Sequence, residues 1–506
     1  MIARNNYYFT SFFWSTLSKV LNAVVGFITV PLLLGYFGKA EYGLLSIATA
    51  CNGYMHLMDL GMNTGAVKFF SQWAAEGNRD KIFRVARTNI TFYIIISIIN
   101  VLGLLVLAFV GENLFSVTHE QFLQLRMCFF ILALFSTISW VSTAFNQLLV
   151  ADKQIAFTMK VNSIQTLCKM LLIAVTIWGS LSLSEYFFIL TLIVSVAIIP
   201  FVLRCKKCNL IESIMPAQYW SDFKIVLNFS LSLFALALFQ TTASQSRPLV
   251  LSMFCEKGAD AVTDFRIIEV VPSFIIMLSG SFMSIFLPKT SEMIVRNDQE
   301  EITSFVKKWT TLTTIIVCVL CFPFIISNQE IISAYVGTDY SYLGRWMALW
   351  CAFLIIQLHS TPAFSLVLAN GKTKVLVYST AFACIISIVV NAFLCKSVPV
   401  GSAVIGYSTY MILLILVYYL YFYKKYLNLN RWLLIKAFAL PILPAIAATI
   451  IPFLANFNVA LFERFSSNER VIYIMLFIAN TSLWLITYVC LLKAFRLLPS
   501  LKALKK

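Results

Sequence analysis

Three cations and one acid lie inside stretches of this chain that are otherwise apolar enough to cross a membrane. The cations are Lys19, Lys169 and Arg247, and the acid is Asp59, one helical turn from His56. Burying a charge in hydrocarbon costs about 3 kcal/mol or more, so such residues usually line water-filled paths or pair with one another. Fixed cations in a cavity favour an anion such as a phosphate. A carboxylate beside a histidine favours binding of a proton or a coupling cation.

Lys19 belongs to a polar face of the first apolar stretch, residues 11–31. The stretch is long enough to span a bilayer, because roughly 20 residues cover ~30 Å. At 100° per residue its polar members fall within about 100° of one another. They are Ser11, Ser15, Ser18, Lys19, Asn22, Gly26 and Thr29. Small residues can also pack against another helix, but the lysine favours a water-filled cavity.

Three later stretches repeat this pattern. The second predicted helix carries Thr49, Asn52, His56, Asp59 and Asn63, the fifth carries Asn162, Gln165, Thr166 and Lys169, and the seventh carries Gln240, Ser244 and Arg247. Pro248 follows Arg247 and is expected to bend that helix.

For each charged member of these faces the sequence leaves a structural alternative open. Asp59 can be hydrated near the membrane surface or pair with Lys68, and His56 can be a packing histidine. Lys169 can extend towards the cytoplasm, and Arg247 can stay wet near the outer surface.

Composition predicts an all-α integral membrane protein. Of 506 residues, 60% are hydrophobic and 12% charged, and the mean hydropathy is +0.86. About fourteen apolar segments can be separated by short polar loops. Their centres lie near Val24, Ala50, Ser97, Ser136, Leu171, Val194, Leu236, Ile276, Ile316, Phe353, Ala383, Leu414, Ala445 and Phe477. No cleavage pattern precedes the first segment, which is expected to be an uncleaved insertion signal.

The net charge of +16 is explained by topology rather than by nucleic-acid binding. With Arg4 placed inside, most of the 38 Lys and Arg fall in inner loops. This is the positive-inside pattern, and an even helix number puts both termini in the cytoplasm.

Neither a metal nor a cofactor is expected. Cys205 and Cys208 have zinc-like spacing, but no second Cys or His pair accompanies them. The run Gly371-Lys372-Thr373 lacks the earlier glycine of a phosphate loop, since Leu366 stands there. The chain is therefore expected to have no ATPase of its own.

A weak internal sequence repeat predicts the domain organisation. Residues 34–41 recur loosely as residues 251–260, and each copy follows a helix with a cationic polar face. Each opens a set of six helices, as in parallel repeats. We predict a six-helix lobe at 1–204, a second at 205–423, and two additional helices with a basic cytoplasmic tail at 424–506.

Two short motifs carry a family resemblance. F-G-K-A-E-Y-G-L at 37–44 and M-D-L-G-M at 58–62 resemble the opening signature of bacterial polysaccharide-biosynthesis flippases of the multidrug/oligosaccharidyl-lipid/polysaccharide (MOP) exporter superfamily. The resemblance implies a MATE-like fold and export of undecaprenyl-diphosphate-linked oligosaccharides, destined for O-antigen, lipopolysaccharide or capsule, by alternating access between two lobes. The cationic lumen of the family corresponds to Lys19 and Arg247, and less closely to Lys169.

The residue chemistry agrees with that substrate class. A diphosphate needs cations, and sugars need hydroxyl and amide groups such as those of Ser15, Asn22, Asn52, Gln240 and Ser244. Trp14 and Trp140 are either stacking surfaces for sugars or interfacial anchors. Asp59 and His56 are the candidates for ion coupling. Expected partners are the lipid-linked oligosaccharide and the bilayer, with a polysaccharide polymerase and glycosyltransferases as further candidates.

Two other function classes stay open. A multidrug cation exporter of the same superfamily needs acidic residues for its ligands, whereas the first helix has a lysine and no acid in its spanning part. A membrane glycosyltransferase or polymerase needs a large outer loop with paired carboxylates or arginines. The outer loops here are short, so we predict a transporter rather than an enzyme.

Overall fold

The computed structural model describes residues 2–296, 298–370, 373–455, 457 and 459–497, and every regular element in these ranges is helical. Gly371 and Lys372 of the run discussed above, and the predicted basic tail from 498, lie outside them. The chain forms two compact units, Met1–Thr263 and Asp264–Lys506. The predicted lobe boundary at 204/205 and the separate status of residues 424–506 stay predictions.

Eight helices precede the end of the first unit and a ninth begins in it. They are α1 Ile2–Met55, α2 Met62–Ala75, α3 Arg79–Val110, α4 His119–Ala151, α5 Ile155–Gly179, α6 Leu183–Ser195, α7 Ile198–Lys207, α8 Trp220–Phe254 and α9 Gly258–Arg296. Short 3₁₀ segments lie at His56–Asp59 and Gly111–Asn113.

The remaining helices belong to the second unit. They are α10 Gln299–Ile326, α11 Asn328–Val336, α12 Gly344–Leu358, α13 Thr361–Ala369, α14 Thr373–Leu394, α15 Pro399–Val417, α16 Tyr423–Leu427, α17 Arg431–Ala448, α18 Ile450–Ala455, α19 Val459–Phe462 and α20 Glu469–Ala494. A 3₁₀ segment occupies Thr338–Leu343 and a π-helical turn occupies Tyr418–Phe422.

The predicted all-α membrane fold is confirmed. Among the described residues, 11 helices are long and apolar enough to span a membrane, or 12 if the bent α8 counts as one span. All the predicted segment centres fall on helices, but the count of fourteen crossings is close rather than confirmed. One reason is that α1 carries the first two predicted helices, which meet at Gly38 with a φ of 78° and a ψ of 175°.

The second predicted helix is broken near its end. After Met55 the chain passes through the 3₁₀ turn, and Leu60 and Gly61 are left-handed with φ of 53° and 75°. A Cβ at Gly61 would lie 2.7 Å from the backbone oxygen of Ser230 in α8, and one at Gly65 would lie 1.9 Å from the Ser230 hydroxyl. The two glycines therefore permit the close packing of α2 on α8.

One end of α3 holds the segment that leads into α8. Arg84 Nε contacts Asp222 Oδ2 at 2.9 Å, and Arg87 Nε donates to the Met215 carbonyl at 3.0 Å. The Thr91 hydroxyl also donates to the Ala217 carbonyl at 2.6 Å. Arg84 and Arg87 thus hold residues 215–222 against α3.

At the opposite end of α3, the loop after α3 and the residues that follow Gly38 contact residues 252–263. The Ser116 amide donates to the Ser252 carbonyl at 2.7 Å, and Thr263 Oγ1 donates to the Lys39 carbonyl at 2.7 Å. A Cβ at Gly43 would lie 2.1 Å from the Ala259 carbonyl oxygen. Lys39 and Gly43, which follow the kink at Gly38, are therefore packed on the start of α9.

In the second unit, side chains satisfy carbonyls that a proline and a helix end leave without their amide partners. Pro441 removes the amide partner of the Ala437 carbonyl, which instead accepts a hydrogen bond from Thr311 Oγ1 at 3.2 Å. Near the end of α17, where the Thr449 amide donates to the Ile446 carbonyl, Trp484 Nε1 donates to the Ala445 carbonyl at 3.0 Å. Such compensation is required because hydrocarbon offers no hydrogen bonds.

Candidate functional site

The polar face of α1 is divided between packing and exposure. Ser11 and Ser18 are buried, and Ser15 is half-buried. Lys19 and Asn22 are exposed, and no atom lies within 4 Å of the position that a Cβ on Gly26 would take. The central part of the face, from Lys19 to Gly26, is therefore open.

A second exposed face of α1 is apolar. Phe13, Val20 and Val24 are 49%, 48% and 49% exposed. They lie about 100–140° around the helix from Lys19. Because the apolar face suits lipid, the separate polar face suits a water-filled region, as the sequence predicts.

Helix α5 lies beside α1 in the same direction. Three contacts ascend along both helices: Lys160 Nζ lies 4.9 Å from the Trp14 ring, Thr166 Oγ1 donates to Asn22 Oδ1 at 2.7 Å, and Tyr36 donates to the Leu181 carbonyl at 3.0 Å. The Asn22–Thr166 hydrogen bond therefore joins the predicted polar faces of two parallel helices.

Lys19 and Lys169 flank this hydrogen bond. Lys19 lies one turn before Asn22, and Lys169 lies one turn after Thr166, so the two positions are offset by ~9 Å along parallel helices. Lys19 is exposed and Lys169 is half-buried. Within the described residues neither lysine forms an ion pair. Two cations without carboxylate partners beside amide and hydroxyl groups form a candidate anion site.

Arg247 is a different kind of residue. It is only 5% exposed, and its Nε donates to the Ser244 carbonyl at 2.9 Å. The alternative of a wet surface arginine is therefore wrong. Gln240 on the same helix is exposed and Ser244 is half-buried. Among the described residues, no hydrogen bond or ion pair joins Arg247 to Lys19.

Asp59 is held by the break in the second predicted helix and by α3. Its Oδ2 accepts a hydrogen bond from the Asn63 amide at 2.9 Å, and its Oδ1 accepts one from the Tyr93 hydroxyl at 2.5 Å. Lys68, the alternative partner, instead places its Nζ 3.7 Å from the Phe229 ring centroid. The alternative in which Asp59 pairs with Lys68 is thus wrong.

Three residues of this arrangement were not predicted. Tyr93, Gln147 and Asn89 are fully buried and connect α3 to α4. Their sequence signal is weak: Asn89 and Tyr93 share a face at a spacing of four residues, and Gln147 is an amide in an apolar helix.

The remaining predicted site residues are placed as follows. Asn52 is half-buried. The His56 and Trp140 ring centroids lie 5.1 Å apart, and Trp140 also stacks on Tyr93 at 5.9 Å. Trp140 is only 4% exposed, so it cannot offer a free face to a sugar. Trp14 is half-buried.

Solved structures of several membrane transporters have a similar fold. The structure of "Lipid II flippase MurJ, inward closed conformation" is similar with a TM-score of 0.67 at 15% identity, covering 95% of this chain and 99% of that one. A multidrug resistance MATE family transporter of the MOP superfamily gives 0.62 at 12% identity, covering 79% and 92%. The MATE multidrug transporter DinF-BH gives 0.58 at 16% identity, covering 84% and 96%. The fold is therefore that of multi-pass MurJ and MATE proteins.

The family is shown by sequence. The profile of the family described as "Polysaccharide biosynthesis protein" matches residues 9–294, more than half of the chain. The protein belongs to this family, and the predicted recognition is confirmed. No curated protein sequence matches the chain.

Proposed function

We propose that the protein is a flippase, not an enzyme. It moves undecaprenyl-diphosphate-linked oligosaccharide repeat units from the cytoplasmic to the periplasmic leaflet of a bacterial inner membrane by alternating access. Family membership and fold support transport in polysaccharide biosynthesis. The observation that carries the substrate class is the pair of lysines, Lys19 and Lys169, beside the Asn22–Thr166 hydrogen bond.

In this proposal Lys19 and Lys169 hold the diphosphate. Both side chains are long, so two ammonium groups from adjacent helices can converge on one dianion despite the axial offset. Ser15, Asn22, Asn52, Gln240 and Ser244 offer hydrogen bonds to the sugars. Arg247 is buried, so it does not contact the diphosphate directly. It adds positive potential to the site and stabilises its helix.

Asp59 couples transport to an ion gradient in this proposal, with His56 in the same turn. Membrane potential is the other energy source. At 100 mV, carrying two negative charges outward is favoured by about 4.6 kcal/mol, at ~2.3 kcal/mol per charge. Lys68 is directed to the Phe229 ring and does not pair with Asp59, which removes one reason to treat Asp59 as purely structural.

Deletion of the gene followed by lipid extraction tests the function. We expect lipid-linked repeat units to accumulate, and the wild-type gene to clear them. Hypersensitivity to cationic drugs without accumulation would instead indicate a multidrug exporter. Surface-polymer loss with truncated lipid-linked saccharides in place of complete repeat units would point to a glycosyltransferase.

A further inference from the structure

Four side chains form a one-way hydrogen-bond chain that ends on Asp59. Asn89 Nδ2 donates to Gln147 Oε1 at 2.9 Å, and Gln147 Nε2 donates to the Tyr93 oxygen at 2.5 Å. Tyr93 then donates its own hydrogen to Asp59 Oδ1 at 2.5 Å. Each step points a hydrogen towards the carboxylate, which is the arrangement that stabilises its ionised form.

The second carboxylate oxygen also faces a donor. Asp59 Oδ2 accepts from the backbone amide of Asn63 in the first turn of α2. Both oxygens are thus directed at N–H or O–H groups. The Tyr93 oxygen already accepts a hydrogen bond from Gln147, and Gln147 Oε1 already accepts one from Asn89.

We infer that the ion taken up at Asp59 is a proton rather than a sodium ion, an inference that rests on the proposed coupling role of this residue. Metal cations of this kind are held by several oxygen acceptors, such as carbonyls and carboxylates. Here the groups around the carboxylate present hydrogens instead. A proton needs only one lone pair, which the carboxylate supplies.

The charged and titratable groups around Asp59 are few. His56 lies in the same 3₁₀ turn, and Tyr93 comes from α3. From α4 the neighbours are the amide of Gln147 and the ring of Trp140, and on α2 Lys68 is directed to Phe229. His56 is therefore the competing proton acceptor that an experiment must separate from Asp59.

Proton uptake at Asp59 has a mechanical consequence. A proton taken from hydronium bonds to one carboxylate oxygen and neutralises the group, so the hydrogen bond from Tyr93 loses its charge assistance and weakens. This loosens the link between α3 and the break at Leu60 and Gly61. Helix α2, which is packed on Ser230 of α8 through Gly61 and Gly65, is then free to move.

Infrared titration of the purified full-length protein in detergent tests the inference without any substrate. We expect a carboxylic-acid carbonyl band that appears on acidification, is lost in Asp59→Asn, and persists in His56→Gln. Tyr93→Phe should move its midpoint to higher pH by about one unit, because a donor to the ionised form is gone. Gln147→Leu should cause a smaller shift in the same direction. Glu120→Gln and Tyr378→Phe, at exposed positions, should leave this band unchanged.

The same titration in the presence of sodium can contradict the inference. Replacing choline chloride by sodium chloride at constant ionic strength should leave the wild-type midpoint unchanged. A midpoint that falls as sodium rises, or a band that persists in Asp59→Asn, would overturn the inference. Because no transport is measured, failure of the flippase assignment would leave these results intact, and the reverse also holds.

Discussion

Lys19 and Lys169 are exposed and half-buried lysines on adjacent parallel helices, and neither has a carboxylate partner among the described residues. Such charges contribute little to folding, because they are not part of a buried network. Their value is in attracting a dianion. Function and stability should therefore respond differently to their removal.

We predict that Lys19→Ala and Lys169→Ala each reduce export about tenfold or more, equivalent to roughly 1.4 kcal/mol of binding. Lys19→Arg should be milder, because charge is retained. Lys206→Ala, at an exposed position in α7, is the matched control. The measurement is clearance of accumulated lipid-linked repeat units in the deletion strain. Wild-type clearance by the Lys19→Ala, Lys169→Ala double variant would contradict the assignment.

Arg247→Ala should differ from Lys19→Ala in its effect on stability. Arg247 is buried and bonded to the Ser244 carbonyl, so its truncation removes packing and a charge-assisted hydrogen bond. We expect Arg247→Ala to lower the thermal-unfolding midpoint in detergent. Lys19→Ala should leave this midpoint unchanged. Equal midpoints for both variants would show that the arginine acts only on substrate.

Helical periodicity identified Lys19, Asn22, Thr166 and Lys169 as members of polar faces, because those faces follow from local sequence. It did not identify Tyr93 and Gln147. Their role depends on which helices become neighbours, and that information is not local. The prediction of Trp140 as a stacking surface for sugars was wrong for the same reason. Its burial depends on contacts with Tyr93 of α3 and with His56.

At the scale of elements, glycines decide where helices approach closely. Gly43 of α1 is packed against the Ala259 backbone, whereas the space around Gly26 of the same helix is open. We predict that Gly43→Ala lowers the unfolding free energy by about 1–3 kcal/mol, because backbone must shift. Gly26→Ala should be neutral. Thermal unfolding of the two variants measures the difference, and similar values would refute the packing.

The contact between α2 and α8 allows a rescue experiment. Gly65→Ala places a methyl group 1.9 Å from Ser230 Oγ but 3.2 Å from its Cβ. Ser230→Ala should therefore restore part of the stability and export lost in Gly65→Ala. If the double variant is worse than the single variant, the two residues do not share this contact.

Apolar segments fixed the positions of the helices, since every predicted centre lies on one. The break at residues 56–61 was not predicted. Gly61 alone is a weak breaker in a helix, and the left-handed turn is stabilised by the Asp59 contacts with Tyr93 and Asn63. Tertiary contacts overrode local propensity here.

For the whole molecule, the distribution of Lys and Arg predicts orientation. Reporter fusions after Lys207 and Lys425 should be cytoplasmic, and those after Lys257 and Thr338 should be periplasmic. A periplasmic signal at Lys207 would invalidate the orientation and the two-lobe division together.

The central claim is movement of a lipid-linked oligosaccharide across a bilayer. The most direct measurement uses proteoliposomes loaded with the lipid-linked saccharides extracted from the deletion strain, with leaflet position read by a membrane-impermeant glycosidase or lectin. We predict fast redistribution with the wild type and with Lys206→Ala, and redistribution near the protein-free rate with Lys19→Ala, Lys169→Ala. Wild-type vesicles that match protein-free vesicles would contradict the account, as would a double variant that matches the wild type.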